Sequence, residues 1–362
     1  MSSWKDLVRH PLRGSSAYHV PSYPNAIKLD ANESPFSLSP AAEEALAKAL
    51  RKTDLHRYPD ASARELHEVL ANHLGVATDQ LSLGNGSDEI LALLCATFAE
   101  PRGKKTRAAL LYSSPGFVVF RTAAISHGLE VIEVPFGDKF APDEKALLEA
   151  VAREKPNLIF LATPNNPTGT VWPRSTVEKL LAQFPDVITV VDEAYLAYGD
   201  VASCSDLALA HPHCLCLGTL SKIGLAGLRV GYLIGQKEVV AEVEKVRPPY
   251  NLSTVAQRAA TVLLRDHYPE LKAHFAEVKA ERARLYDALK AFPEVEVFPS
   301  GANFLMIRVA EARKLFEGLA ERGVVVRCFD RGALKGCLRV TVGTPDENSW
   351  LLDAMKAHFG AR

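Results

Sequence analysis

The chain of 362 residues has almost no net charge: 42 Lys and Arg against 43 Asp and Glu leave a formal −1. A protein that grips nucleic acid by its phosphates needs a basic surplus on some face, and this balance argues against one. No apolar stretch reaches the roughly 18 residues that would span a bilayer. Met1–Gly14 carries Lys5, Asp6 and Arg9 and no apolar run, so it does not read as a secretory signal. Cysteine is scarce. Six in a chain of this length form no disulfide framework and point to a reduced, cytoplasmic setting. Without a secretory signal, the Asn-x-Ser matches at Asn32, Asn85 and Asn251 are chance occurrences. The segment His211-Pro212-His213-Cys214-Leu215-Cys216 packs four ligand-type residues together, yet no second pair stands at zinc spacing, so no metal is expected.

What is present is material for a large core, with 48% hydrophobic and 23% charged residues. Short apolar runs recur: Ala108–Tyr112, Val131–Val134, Leu158–Ala162, Val187–Val191, Cys214–Leu217 and Val230–Ile234. Between several of them lie helical patterns, at Phe117–Ser126, Asp143–Arg153 and Pro173–Phe184, the last with Pro173 expected at the first helical position. Continuous apolar strands alternating with helices predict a buried, mostly parallel α/β sheet. The pattern changes after Arg247-Pro248-Pro249. Helix-favouring residues run from about Thr254 to Phe292, with Pro269 expected to kink or divide them. Strands at Val295–Phe298, Asn303–Arg308, Val324–Arg327 and Leu338–Val342 follow, with helices near Glu311–Glu321 and Asp346–His358. That reads as a smaller α+β domain. The expected division is an amino-terminal arm with part of the small domain (1–40), a large domain (41–250) and a small carboxyl-terminal domain with a long connecting helix (251–362).

Several segments could carry chemistry. Lys222, in Thr219-Leu220-Ser221-Lys222, closes an apolar strand and precedes the Gly224–Gly227 loop. It is either a solvated surface lysine or an amine held in a cleft for Schiff-base chemistry with a carbonyl. Asp192, after Val187–Val191, is either a helix cap or a carboxylate at the ligand-binding edge of an α/β sheet, placed to pair with a cationic ring nitrogen. Tyr195 stands beside it as a donor to a phenolate oxygen. The turn-rich Thr163-Pro164-Asn165-Asn166-Pro167-Thr168-Gly169 offers a side-chain amide held between prolines. Gly84-Asn85-Gly86-Ser87-Asp88-Glu89 opens an apolar helix. It lacks the third glycine of a dinucleotide fingerprint and the Lys-Ser/Thr of a P-loop, but a glycine-rich helix start exposes N–H groups to an anion. Arg229 and Arg339, each at a strand start, are surface arginines or bidentate anion clamps.

Taken in order, GNGSDE, PNNPTG, DEAY and SKIGLAGLRVG resemble the aminotransferases of pyridoxal 5′-phosphate (PLP) fold type I, over nearly the whole chain. Leu29–Pro35, Arg57-Tyr58-Pro59-Asp60 and Leu338–Thr344 bring the likeness nearest to the histidinol-phosphate aminotransferases. The resemblance implies an α/β fold with a mostly parallel seven-stranded sheet in the large domain and a smaller α+β domain. It implies that Lys222 bears PLP and carries protons, that Asp192 pairs with the pyridine nitrogen, and that Tyr195 and Asn166 bond the ring oxygen. Phe117, where many members have tyrosine, would stack on the ring. Gly86, Ser87, Asp88, Thr219, Ser221 and Arg229 would hold the phosphate, with Tyr58 reaching the site of the neighbouring subunit in a homodimer. Arg339 would clamp substrate anions, helped by Arg327, Tyr18 and Asn32. The loop from Lys222 to Arg229 is one residue shorter than in many members. The implied reaction is L-histidinol phosphate with 2-oxoglutarate to imidazole acetol phosphate and L-glutamate. The implied partners are small molecules, glutamate or 2-oxoglutarate and a phosphorylated amino alcohol, with neither nucleic acid nor membrane. An aromatic amino acid aminotransferase or a threonine-phosphate decarboxylase would keep Lys222, Asp192 and Arg229, so the motifs leave both open. A non-catalytic effector-sensing module would carry an added DNA-binding segment, and none fits before Leu29. A nicotinamide dehydrogenase would need the missing glycine fingerprint.

Overall fold

The computed structural model describes residues 4–9, 12–13, 23, 25–51, 53–103 and 105–360. The strands are β1 (Ile27–Leu29), β2 (Leu81–Asn85), β3 (Ala109–Ser114), β4 (Glu130–Pro135), β5 (Leu158–Ala162), β6 (Ile188–Asp192), β7 (Cys214–Thr219), β8 (Val230–Ile234), β9 (Glu296–Phe298), β10 (Phe304–Arg308), β11 (Val324–Phe329) and β12 (Cys337–Thr341). The helices are α1 (Pro40–Leu50), α2 (Arg64–Leu74), α3 (Ser87–Thr97), α4 (Val118–Ser126), α5 (Glu144–Glu154), α6 (Arg174–Gln183), α7 (Ser205–Ala210), α8 (Lys237–Glu244), α9 (Thr254–Asp266), α10 (Tyr268–Lys290), α11 (Ala312–Glu321) and α12 (Pro345–Gly360). Among the described residues no helix is long and apolar enough to cross a membrane.

Seven strands form one sheet in the order β2-β8-β7-β6-β5-β3-β4, parallel except for β8, which runs against both β2 and β7. Alternate residues feed two cores, one on each face. Ile159 and Leu161 of β5 join one cluster, and Leu158, Phe160 and Ala162 the other. Cys214 and Cys216 of β7 face the first, Leu215 and Leu217 the second. Burial on both faces is why these strands read as unbroken apolar runs. The two cysteines are therefore small buried side chains of a central strand, as their context predicted.

The second sheet has the order β1-β11-β12-β10-β9. Only the β1–β11 pair is parallel. One face carries Leu305, Ile307, Val324, Val326, Leu338 and Val340 into a core shared with α10, α11 and α12. β1, from near the amino terminus, thus completes a sheet whose other strands come from the last third of the chain.

Two helix boundaries differ from or refine the expectations. Pro173 is not the first helical residue: its ψ of 138° is extended, and α6 begins one position later, at Arg174. Pro269 divides rather than kinks the long helical stretch, because α9 ends at Asp266 and Pro269 sits in the first turn of α10, where a missing N–H costs nothing.

Candidate active site

The carboxyl ends of β2, β5, β6 and β7 meet the amino end of the reversed β8, and this edge gathers most of the singled-out residues. Ligand crevices of open α/β sheets form at such an edge. Asp192 is the last residue of β6 and only 6% exposed. Burial pushes its carboxyl up to about 7; the Ala194 N–H, donated to Oδ1 at 3.0 Å, opposes this, Asp88 and Glu193 reinforce it, and the Lys222 ammonium counters it. Asp192 therefore caps the following turn and is also a buried acid in want of a cation.

Lys222 ends a short helical turn after β7. Its main-chain oxygen accepts the Tyr198 hydroxyl at 2.5 Å. Its Nζ donates to the carbonyl of Ala31 at 3.4 Å and lies 5.8 Å from the centre of the Tyr195 ring. The Tyr195 hydroxyl accepts the Nδ2 amide of Asn32 at 2.9 Å, and the ring meets Phe304 edge-on with centroids 5.2 Å apart.

Beside them lies a cradle of donors. Gly86 takes φ = 80° ahead of α3, and a Cβ there would stand 2.5 Å from Nη2 of Arg229. A Cβ on Gly231 would come within 2.5 Å of the Gly86 and Ser87 backbone. These glycines let the start of α3, with its unpaired N–H groups and positive dipole end, close on Arg229. Arg229 donates Nη1–H to Ser221 Oγ at 3.1 Å and lies 3.6 Å from Asp88. Thr219 Oγ1 is 3.0 Å from the same serine oxygen and accepts the Ser221 N–H at 3.1 Å. Helix N–H groups, two hydroxyls and a guanidinium around one point suit a dianionic phosphate.

The second sheet supplies a further pair of cations. Arg327 and Arg339 are direct cross-strand neighbours, on the face of β11 and β12 opposite the apolar core. Like charges placed opposite one another repel, which favours an anion between them. Arg339 donates to Asn166 Oδ1 at 2.6 Å across the gap between the two sheets, and to the Asp30 carbonyl, just past β1 of its own sheet, at 2.5 Å. Its guanidinium lies 5.4 Å from the Phe304 ring centre.

Phe117 immediately precedes α4, edge-on to Phe120 at 5.7 Å. Tyr58 is not among the side chains gathered at the cleft of its own chain. It is 81% exposed and stacks on Tyr250 at 4.7 Å. Tyr18 lies outside the described residues.

Sequence reasoning missed a buried cluster around Asn32. Asn32 adopts φ = 56°; its N–H donates to Thr341 Oγ1 at 3.0 Å, and its carbonyl accepts the Asn303 amide at 3.1 Å. Thr341 was within reach of pattern reading. In β12 the apolar Leu338 and Val340 alternate with Arg339 and Thr341, so whatever face Arg339 occupies, Thr341 shares. Asn303, Phe304 and the Ala31 carbonyl had no local signal.

The chain matches the family model of aminotransferase class I and II over residues 24–355. It is 41% identical over 360 residues to the histidinol-phosphate aminotransferase of Paracidovorax citrulli, covering 97% of this chain and 96% of that protein. It is also 41% identical over 358 residues to histidinol-phosphate aminotransferase 1 of Ralstonia nicotianae, covering 97% of this chain and 94% of that one. In structure it is similar to the histidinol-phosphate aminotransferase of Sinorhizobium meliloti solved in complex with pyridoxal 5′-phosphate. The TM-score is 0.83 at 27% identity, over 93% of this chain and 91% of that one.

Proposed function

The chain belongs to the class I and II aminotransferases, PLP-dependent enzymes, and on that footing we propose that it moves the amino group of L-histidinol phosphate to 2-oxoglutarate, giving imidazole acetol phosphate and L-glutamate. The residues at the sheet edge fit PLP. The cradle at Gly86–Asp88, Thr219, Ser221 and Arg229 has the donor set of a phosphate site, and it is closed so tightly that a Cβ on Gly86 would strike the guanidinium. The observation that carries the reading is the pairing of that cradle with a buried acid at the end of β6 and a lysine amine in the turn just past the adjacent β7.

When bound, PLP supplies an electron sink for the substrate carbanion. Everything else falls to the chain. Asp192 holds a proton at the ring nitrogen, and a cationic partner there relieves the burial that raises its own carboxyl. The Lys222 amine would take the proton from substrate Cα as general base and give it back, as general acid, at the cofactor's C4′ carbon. Tyr195 and Asn166 would donate to the ring oxygen, and Phe117 would cover one ring face. Asn166 accepts from Arg339, so its Nδ2 remains a donor while its oxygen steadies the clamp. The two substrates bring different anions to one pocket, a phosphate ester in one half-reaction and carboxylates in the other. Paired guanidiniums at Arg327 and Arg339 can satisfy either. The exposed Tyr58 supports a homodimer in which each copy completes the other's site. Six free thiols support a cytoplasmic setting.

Two measurements test the reading. Purified protein loaded with PLP should be yellow and lose the visible band in Lys222→Ala, with turnover reduced at least about a thousandfold. A colourless protein unaffected by added PLP would refute the cofactor assignment. Among amino donors, histidinol phosphate should give the highest kcat/KM; phenylalanine or threonine phosphate ahead of it would refute the substrate assignment alone.

A further inference from the structure

We propose that Asn32 and Thr341 act through Tyr195, as positioning residues that fix the direction in which its hydroxyl offers a proton. The inference rests on the cofactor reading above and departs from the expectation that Asn32 helps to bind substrate. A phenol oxygen has one proton to give and lone pairs to receive with. The Asn32 Nδ2 group, 2.9 Å away, can only donate. It therefore occupies an acceptor site of the phenol and turns the phenol's proton elsewhere, and the Lys222 amine stands over that ring at 5.8 Å.

Thr341 sets the sense of the amide. Its Oγ1 accepts the Asn32 main-chain N–H at 3.0 Å, and its own proton goes to Asn32 Oδ1 at 3.2 Å. With the amide reversed, the Thr341 proton would face an NH2 group, and Oδ1 would face Tyr195. The tyrosine would then donate to Asn32 and have no proton left for a ligand oxygen. The cluster is shut off from water, with Asn32 1% and Thr341 3% exposed, so solvent does not average these directions. Asn303, fully buried, donates to the Asn32 carbonyl and helps hold a backbone conformation that a non-glycine residue rarely adopts. A Tyr195 proton directed into the cleft favours a deprotonated oxygen on the ring bound there.

The test is a pH titration of the visible absorbance of PLP-loaded protein. Tyr195→Phe should move the midpoint to higher pH by about one unit, the effect of losing one hydrogen bond to a charged oxygen. Asn32→Ala and Thr341→Val should move it the same way, by roughly half a unit or more, and Thr341→Ser, which keeps the hydroxyl, should leave it in place. In a Tyr195→Phe background, Asn32→Ala should add no further shift. An unmoved midpoint in Asn32→Ala that melts like its parent, or an equal shift in both backgrounds, overturns the proposal. So does a raised KM with an unmoved midpoint, the mark of a direct substrate contact. Should Asn32→Ala not fold, Thr341→Val decides by the same criteria. If the unaltered protein shows no visible band with PLP, the cofactor reading fails first and takes this proposal with it.

Discussion

The two ends of the cleft are built differently. At the proposed phosphate end, the donors are backbone N–H groups of α3 and the side chains of Thr219, Ser221 and Arg229, the two hydroxyls buried and Arg229, like Asp88, about half exposed. At the ring end, Asp192, Tyr195, Asn32 and Thr341 are buried, and the bond from Asn32 to Tyr195 and that from Thr341 to Asn32 fix one another's direction. Redundant contacts share their load, so losing one weakens binding without reshaping the site. Buried bonds without substitutes set protonation and direction, so losing one changes the chemistry.

The sharpest way to break this contrast is at Asp192. Asp192→Asn should lower kcat on the order of a hundredfold or more, since it removes a fixed charge from the reacting centre. The cofactor-free protein should respond in the opposite sense. Burial raises the folded-state carboxyl to about 7, above the unfolded value, so stability falls as pH climbs through that interval and the penalty is complete above it. Cofactor-free Asp192→Asn should therefore melt several degrees above the parent at pH 8, with the gap closing toward pH 4, as followed by calorimetry. A smaller effect is expected at the other end. Gly86→Ala places a Cβ 2.5 Å from Arg229 Nη2 and should weaken PLP binding about tenfold in equilibrium titrations, while kcat at saturating PLP stays within about threefold. A loss of kcat as deep as that of Asp192→Asn would erase the distinction between the two ends. The smallest change belongs to Phe117→Leu, which trades a ring face for an aliphatic contact worth about 1 kcal/mol less and should lower PLP affinity by about fivefold.

The same contrast governs how much of the molecule could be read beforehand. The large sheet was legible because its strands, buried on both faces, leave unbroken apolar runs. At the proposed phosphate end, the glycine-rich helix start at Gly86–Asp88 offered N–H groups to an anion, a weak signal alone, and Thr219 and Ser221 entered only through the family resemblance. Lys222 or Asp192 in isolation carried little weight; their order along the chain and the family resemblance carried more. The ring end depends on partners far apart, 309 positions between Asn32 and Thr341 and 173 between Asn166 and Arg339. No spacing rule joins residues that meet because β1 enters the carboxyl-terminal sheet, as Asn32 and Thr341 do, or because the two sheets pack together, as Asn166 and Arg339 do. Asn32 was singled out for a substrate contact, and its bond to Tyr195 emerged only from the packing.

The reversed strand β8 has a consequence for variation in this region. Because it pairs with both neighbours, Val230 opposite Asn85 and Gly231 opposite Thr219, its starting point is set by the sheet and not by the chain leading into it. The segment from Lys222 to Arg229 thus joins two anchored posts, with Leu225 buried in the core between them. With its far post fixed by the sheet, the guanidinium of Arg229 arrives beside Gly86. A change of length between Lys222 and Arg229 would fall on the cleft wall and leave the register of β8 in place.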